Sequence, residues 1–124
     1  MANEKDLESK WDVQLRKGTL DLVVLAALNG RTLYGLELLQ LLHKFETTRI
    51  TEGTLYPLLD RLKRDGLVTA QWRQEGETRP RKYYALTELG SNKLSAVSRR
   101  WQQAVSDINH LLAHPGPAPL NDEE

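Results

Sequence analysis

The side chains of this chain that are placed to do chemistry are hydroxyls and cations, in two short runs. The first is Thr51-Glu52-Gly53-Thr54-Leu55-Tyr56. Thr51 is a good N-cap, so the residues after it open a helix. Glu52, Gly53, Thr54 and Tyr56 then lie at a helix N-terminus, where backbone N–H groups approach an anion or a base edge. The hydroxyls of Thr54 and Tyr56 bond phosphate oxygens or base edges, and Gly53 lets the backbone come close. Glu52 and Thr54 would equally stabilise the helix start. The second run is Arg79-Pro80-Arg81-Lys82-Tyr83-Tyr84. Pro80 stiffens a turn, and arginine suits bidentate phosphate contact or insertion into a minor groove. Alternation along a strand puts Arg79 and Arg81 on one face and Lys82 on the other. One of Tyr83 and Tyr84 belongs to the core. Lys63 and Arg64, with Arg61, end the helix that Thr51 opens. They favour the negative end of its dipole, and one or two of them would reach phosphate. This is the chemistry of holding a nucleic acid, not of making or breaking bonds.

Catalysis finds little to work with. There is no cysteine, which excludes disulfides, thiol nucleophiles and thiolate metal sites. The histidines are His43, His110 and His114. His110 and His114 have the i, i+4 spacing of two metal ligands, but no third ligand accompanies them and a surface pair is expected. No glycine-rich phosphate loop or nucleophile constellation appears. No cofactor and no metal are expected.

Charge supports a local surface only. The 124 residues carry 17 basic and 17 acidic side chains, so the net charge is zero. From Arg61 to Lys82, however, seven basic residues (Arg61, Lys63, Arg64, Arg73, Arg79, Arg81, Lys82) face three acids (Asp65, Glu75, Glu77), a surplus of four. A basic patch on a neutral protein predicts weak non-specific binding.

The elements that must position these residues follow from periodicity and punctuation. Leu7, Trp11 and Leu15 form one stripe of a short first helix that Gly18 interrupts. Thr19 then caps a second, mostly apolar helix to Leu28, closed by Asn29-Gly30. Thr32 to His43 is a third, leucine-rich helix, with Tyr34 at its opening. In a helix-turn-helix that element crosses the DNA backbone, so Tyr34 is placed to bond a phosphate, or else sits partly buried in the core. The helix from Thr51 buries Leu55, Leu58, Leu59 and Leu62 and stops at Gly66. Pro57 removes one of its backbone hydrogen bonds, so a kink or a late start is expected. Leu67 to Arg73 and Arg81 to Leu86 make a two-stranded hairpin around Gly76.

Thr87 caps the last helix, which runs to about Ala113. Leu94, Val97, Trp101, Ala104, Ile108 and Leu111 follow a three-four spacing, widened by Val105 and Leu112. A heptad seam of this length needs a partner, and the same helix of a second copy supplies one. Leu7, Trp11 and Leu15 could pack on that pair. Trp101 on the seam faces its mate, and two such rings set apart would sandwich a flat aromatic effector. Trp11, with Asp107 or Arg100, would line the same space. A plain core tryptophan is the alternative.

The expected fold is mainly α with a small β-hairpin wing, a winged helix-turn-helix with dimerisation helices at both ends. The divisions are 1–17 (N-terminal helix), 18–86 (winged helix-turn-helix), 87–113 (dimerisation helix) and 114–124 (disordered tail). The polar N-terminus and the shortness of the apolar run from Leu22 to Leu28 predict a cytoplasmic protein without a membrane span.

Four pieces in order resemble the PadR-type transcriptional regulators. They are Lys17-Gly18-Thr19-Leu20-Asp21, Tyr34-Gly35-Leu36-Glu37, the run from Glu52 to Leu59 continued by Arg61-Leu62 and Asp65-Gly66-Leu67-Val68, and Arg79 to Gly90. The single short C-terminal helix is similar to that of the smaller subfamily. Leu36 departs from the aromatic that many relatives carry there. The resemblance implies a homodimeric winged-helix repressor that binds inverted repeats in double-stranded DNA and that a small aromatic compound releases. A winged helix that binds a protein instead of DNA is the alternative, and zero net charge is its support.

Overall fold

Thr51 and Gly66 bracket the helix around which the other elements are arranged. The computed structural model describes residues 4–117, with side chains from Lys10 onward. Helix α3 spans Glu52–Arg64. Thr51 Oγ1 accepts the Thr54 N–H at 3.2 Å, satisfying one of the free donors of the first turn. At the other end Gly66 adopts φ +76°. That left-handed residue lets the Leu67 N–H reach the Leu62 carbonyl at 2.9 Å and the Gly66 N–H reach Lys63 at 3.0 Å. Leu55, Leu58, Leu59 and Leu62 are buried, as their spacing predicts. Pro57 lies inside the helix, which nonetheless begins at Glu52 and not late.

The N-terminal half differs from expectation. A single helix, α1, runs from Glu4 to Ala27 without a break at Gly18. Thr19 does not cap; its hydroxyl donates to the Leu15 carbonyl at 2.9 Å within the helix. A glycine in a helix interior costs about 1 kcal/mol against alanine. Burial of Val24, Leu25 and Leu28 one to three turns later outweighs that cost. Leu7 lies on α1, but its side chain is outside the described residues.

The third expected helix starts later than Thr32. Leu33–Tyr34 is a short strand, β1, and α2 spans Gly35–Leu42. Tyr34 is the extended N-cap of α2, and its backbone N–H donates to Glu37 Oε1 at 3.2 Å. A one-turn 3-10 helix, Glu46–Thr48, follows. Strands β2 (Val68–Arg73) and β3 (Arg81–Leu86) form the wing hairpin. The sheet has three strands, not two, in the order β1-β3-β2, all antiparallel. Local helix propensity at Leu33 and Tyr34 loses to the hydrogen bonds offered by the open edge of β3, where Leu33 pairs with Tyr84 and Tyr34 with Tyr83.

Helix α4 spans Glu88–Ala113. Its start is fixed to the α3–β2 corner through Thr87. The Thr87 hydroxyl accepts the Gly90 N–H at 2.9 Å and donates to the Gly66 carbonyl at 2.6 Å. The Thr87 N–H donates to the Leu67 carbonyl at 3.1 Å. A Cβ at Gly90 would collide with that same carbonyl, so only glycine permits the approach. Leu94 is buried in the protomer's own core, and Val97 and Val105 are half-buried. Farther on, Trp101, Ala104, Ile108 and Leu111 are exposed. Residues 118–124, the greater part of the expected disordered tail, lie outside the described residues. Among the described residues, no helix is long and apolar enough to cross a membrane.

Candidate nucleic-acid interface

Helix α3 turns about 100° per residue, so residues two apart point to opposite flanks. Tyr56 and Asp60 face the wing. Thr54 and Arg61 face α1, where Arg61 Nη2 meets Asp21 Oδ1 at 2.7 Å. Gly53, Pro57 and Arg64 point outward between the two flanks.

The wing flank is a groove of about 620 Å³ between α3, the start of α2 and the hairpin. Tyr34, Tyr56, Arg79, Arg81 and Lys82 all line it. Five of the ten residues expected to touch DNA therefore converge on one concavity. Tyr34, Tyr56 and Arg81 are held from below. A Cβ at Gly35 would fall 2.6 Å from Tyr56 Cε1 and closer still to its hydroxyl, so the ring is seated directly on the α2 backbone. The Arg81 guanidinium lies 4.5 Å from the Tyr34 ring centre, and Tyr34 meets Tyr83 edge-on at 5.4 Å. Arg73, paired with Arg81 across the hairpin, lies on the same face of the sheet, 5.3 Å from the Tyr83 ring. This ladder of cations and aromatic rings stiffens the wing and fixes Tyr34 as half-buried.

Register sorts the wing cations. Arg81 pairs with Arg73 and Lys82 with Trp72, so the two neighbours lie on opposite faces, as alternation predicts. Tyr84 is the buried tyrosine of the pair, 3% exposed. Burial raises its phenol above the usual range, and the nearby Asp60 carboxylate and Tyr56 add to the shift.

The other predicted residues are not in the groove. Thr54 lies on the α1 flank, and its hydroxyl is 3.2 Å from Thr51 Oγ1. Glu52, Gly53, Lys63 and Arg64 are exposed on α3. Arg61 is engaged by Asp21 and, at 3.9 Å, by Asp65, which holds its guanidinium charged and directs it toward α1. Leu36, Asp60 and Trp72 line the groove without having been expected there. Trp72 is 69% exposed on β2. Strand periodicity gave its existence but not its exposure, because the sheet extends past the core that would have covered it. Asp60 has the wrong sign for a phosphate, and only its place one turn after Tyr56 pointed to this flank.

Trp101 lies apart, over a hollow of about 470 Å³ between α1, the 3-10 turn and α4. Leu15, Leu22 and Val23 give it apolar walls, and Asp12, Arg16 and Glu46 are its charged neighbours. Neither Asp107 nor Arg100, expected beside Trp101, lines it; Asp107 accepts a hydrogen bond from Gln103 at 2.8 Å on the same helix. Trp11 does not line it either, and is 64% exposed. His110 and His114 stack with ring centres 4.3 Å apart. Among the described residues, no three His, Cys, Asp or Glu side chains converge on one point.

A helix-turn-helix with an antiparallel wing, and a cationic groove between the two, defines the class: a winged-helix regulator. Residues 24–96 match the family described as transcriptional regulator PadR-like. The chain belongs to that family. A PadR family transcriptional regulator from Eggerthella lenta is 34% identical, with a TM-score of 0.79 over 90% of this chain and 96% of that one. A PadR-like regulator from Bacillus cereus is 30% identical, with a TM-score of 0.75 over 82% and 99%. An uncharacterised protein of Lysinibacillus sphaericus is 29% identical over 98 residues, covering 77% of this chain and 90% of the relative.

Proposed function

We propose that the chain is a sequence-specific, double-stranded-DNA-binding repressor that acts as a cytoplasmic homodimer. The observation that carries this reading is the meeting of Tyr34, Tyr56, Arg79, Arg81 and Lys82 around one groove beside an exposed helix. Tyr56 and the outward face of α3 enter the major groove, while the wing holds the flanking backbone. Gly53 supports it independently. A Cβ there would meet only Thr51 Oγ1, at 3.8 Å, so among the described residues no contact requires glycine. A partner whose backbone or bases come close to α3 does.

Dimerisation rests on the apolar residues left exposed on α4 and α1. Trp101, Ile108 and Leu111 are 46%, 55% and 70% exposed, at the spacing of a two-helix seam. Pairing with the same helix of a second copy would bury them together with Ala104, with Val105, Trp11 and Leu15 at the margins. Two α3 helices about 34 Å apart then read an inverted repeat. The hollow beside Trp101 has the size and apolar lining of a small-molecule site, which supports a flat aromatic effector. Such a ligand lowers DNA affinity by as much as it prefers the unbound arrangement.

The test is a titration of DNA from upstream of the protein's own gene against Arg79→Glu/Arg81→Glu. Loss of binding with an unchanged circular dichroism spectrum supports the reading. Unchanged binding overturns the role of the wing.

A further inference from the structure

The α1 flank of α3 carries charges that the wing groove does not account for. Arg16 and Lys17 on α1 and Arg49 on the loop before α3 surround a hollow of about 570 Å³ with Thr51 and Thr54. Among the described residues, no acidic side chain lines it. Among the described residues, the ion pairs are both made by Arg61, so these three cations have none. Arg16 also borders the hollow beside Trp101, where Asp12 and Glu46 lie, but forms an ion pair with neither. The loop is also fixed in place. Arg49 Nε donates to the His43 carbonyl at 3.3 Å, and His43 Nε2 lies 2.9 Å from the Ile50 carbonyl. Arg49 Nε is thereby used, but its two terminal nitrogens remain available. Lys17 and Arg49 are exposed and Arg16 half-buried. Like-charged side chains brought together without ion-pair partners repel one another, and an anionic partner relieves that repulsion.

Position says which partner. The B-DNA major groove is about 12 Å wide and admits one helix, with a phosphate backbone along each wall. A helix seated there turns one flank to each strand. On α3 those flanks are marked by Tyr56, which faces the wing, and by Thr54, which faces this second cluster. We infer that Arg16, Lys17 and Arg49 form a second phosphate-binding patch that holds the strand opposite the one held by the wing. The inference rests on the DNA-binding reading above and deepens it, by making the grip two-sided and enlisting α1 in it.

The experiment compares wild type, Arg16→Gln/Lys17→Gln/Arg49→Gln and Arg79→Gln/Arg81→Gln. Each is titrated with the upstream duplex and with a duplex of mixed sequence over a range of salt, after circular dichroism has shown the fold intact. Losing phosphate contacts flattens the dependence of log K on log salt by about 0.9 per contact. The triple variant is expected to flatten the slope and weaken binding to both duplexes. In ethylation interference, it should lose signals on one strand of each half-site, and the wing variant those on the other. An unchanged slope and unchanged interference pattern in the triple variant, with the wing variant impaired, overturns the second patch and leaves the DNA-binding reading standing. Loss of signals on the same strand in both variants overturns the two-sided arrangement. Absence of DNA binding by wild type removes both. If the triple variant is unfolded, the single Lys17→Gln, at an exposed position, is read in its place by the same two criteria.

Discussion

The ring of Tyr56 on α3 lies directly against Gly35, the first residue of α2, with no room for a Cβ between them. This contact sets the height of the tyrosine hydroxyl above the wing groove. Tyr56 is 41% exposed, so its ring is able to swing away when pushed. Gly35→Ala is therefore expected to move Tyr56 with little change in stability, within about 1 kcal/mol, since alanine also favours helix over glycine. DNA affinity should fall about as far as in Tyr56→Ala. The double variant should be no worse than either single one, which a double-mutant cycle on the DNA dissociation constant checks.

Gly53 predicts the opposite separation. Its Cβ position is open, so Gly53→Ala should raise the unfolding free energy by up to about 1 kcal/mol. The same methyl group obstructs close approach to DNA and should weaken specific binding. Urea unfolding beside a DNA titration reads both. A variant that is more stable and binds equally well would show that the glycine serves no contact.

Much of this arrangement is legible in the sequence, and the failures have physical causes. Thr51, Gly66 and Thr87 mark element ends through local hydrogen bonds, and local signals of this kind survive folding. Gly18 and Thr19 carry equally local signals that the fold overrides, because packing of Val24, Leu25 and Leu28 stabilises a continuous α1. Strand β1 was hidden because two residues have no periodicity; only the free edge of β3 creates it. In the candidate site, the wing cations and Tyr56 were visible as residue types in a motif. Trp72 and the Arg16–Lys17–Arg49 cluster were not, since they come together only through contacts between distant segments.

Tyr84 gives a pH dependence. Its phenol is raised first by burial and then by Asp60 and Tyr56, so the folded state holds the proton more tightly than the unfolded chain. The resulting stabilisation is fully present below the unfolded pKa of about 10 and is lost as pH rises through the folded value. Thermal melts from neutral pH upward should show stability falling above about pH 10, and less steeply in Tyr84→Phe. Equal slopes would mean that another group governs alkaline unfolding.

The Arg61–Asp21 pair is exposed on both sides, 44% and 52%. Water and salt screen it, so Asp21→Asn should cost no more than about 1 kcal/mol, less at high salt. Freed from Asp21, Arg61 remains on the α1 flank, and DNA affinity should rise or stay level. Denaturant melts at two salt concentrations check the first statement, and a DNA titration the second.

Trp101→Ala tests the seam and the hollow together. Trp101 is 46% exposed in the single chain, so its loss should alter protomer stability little and dimer dissociation strongly. Sedimentation across a concentration range reads the dissociation constant, and tryptophan-fluorescence quenching by flat aromatic compounds reads the hollow. If both dimerisation and ligand response are unchanged, the proposed role of Trp101 is wrong.

The most direct test of the central claim is a titration of the purified protein into labelled DNA from upstream of its own gene, beside a scrambled duplex, at several salt concentrations. The account predicts tight binding to the native duplex with two chains per site, and much weaker, steeply salt-dependent binding to the scrambled one. Equal weak binding to both duplexes, or none to either, would contradict it.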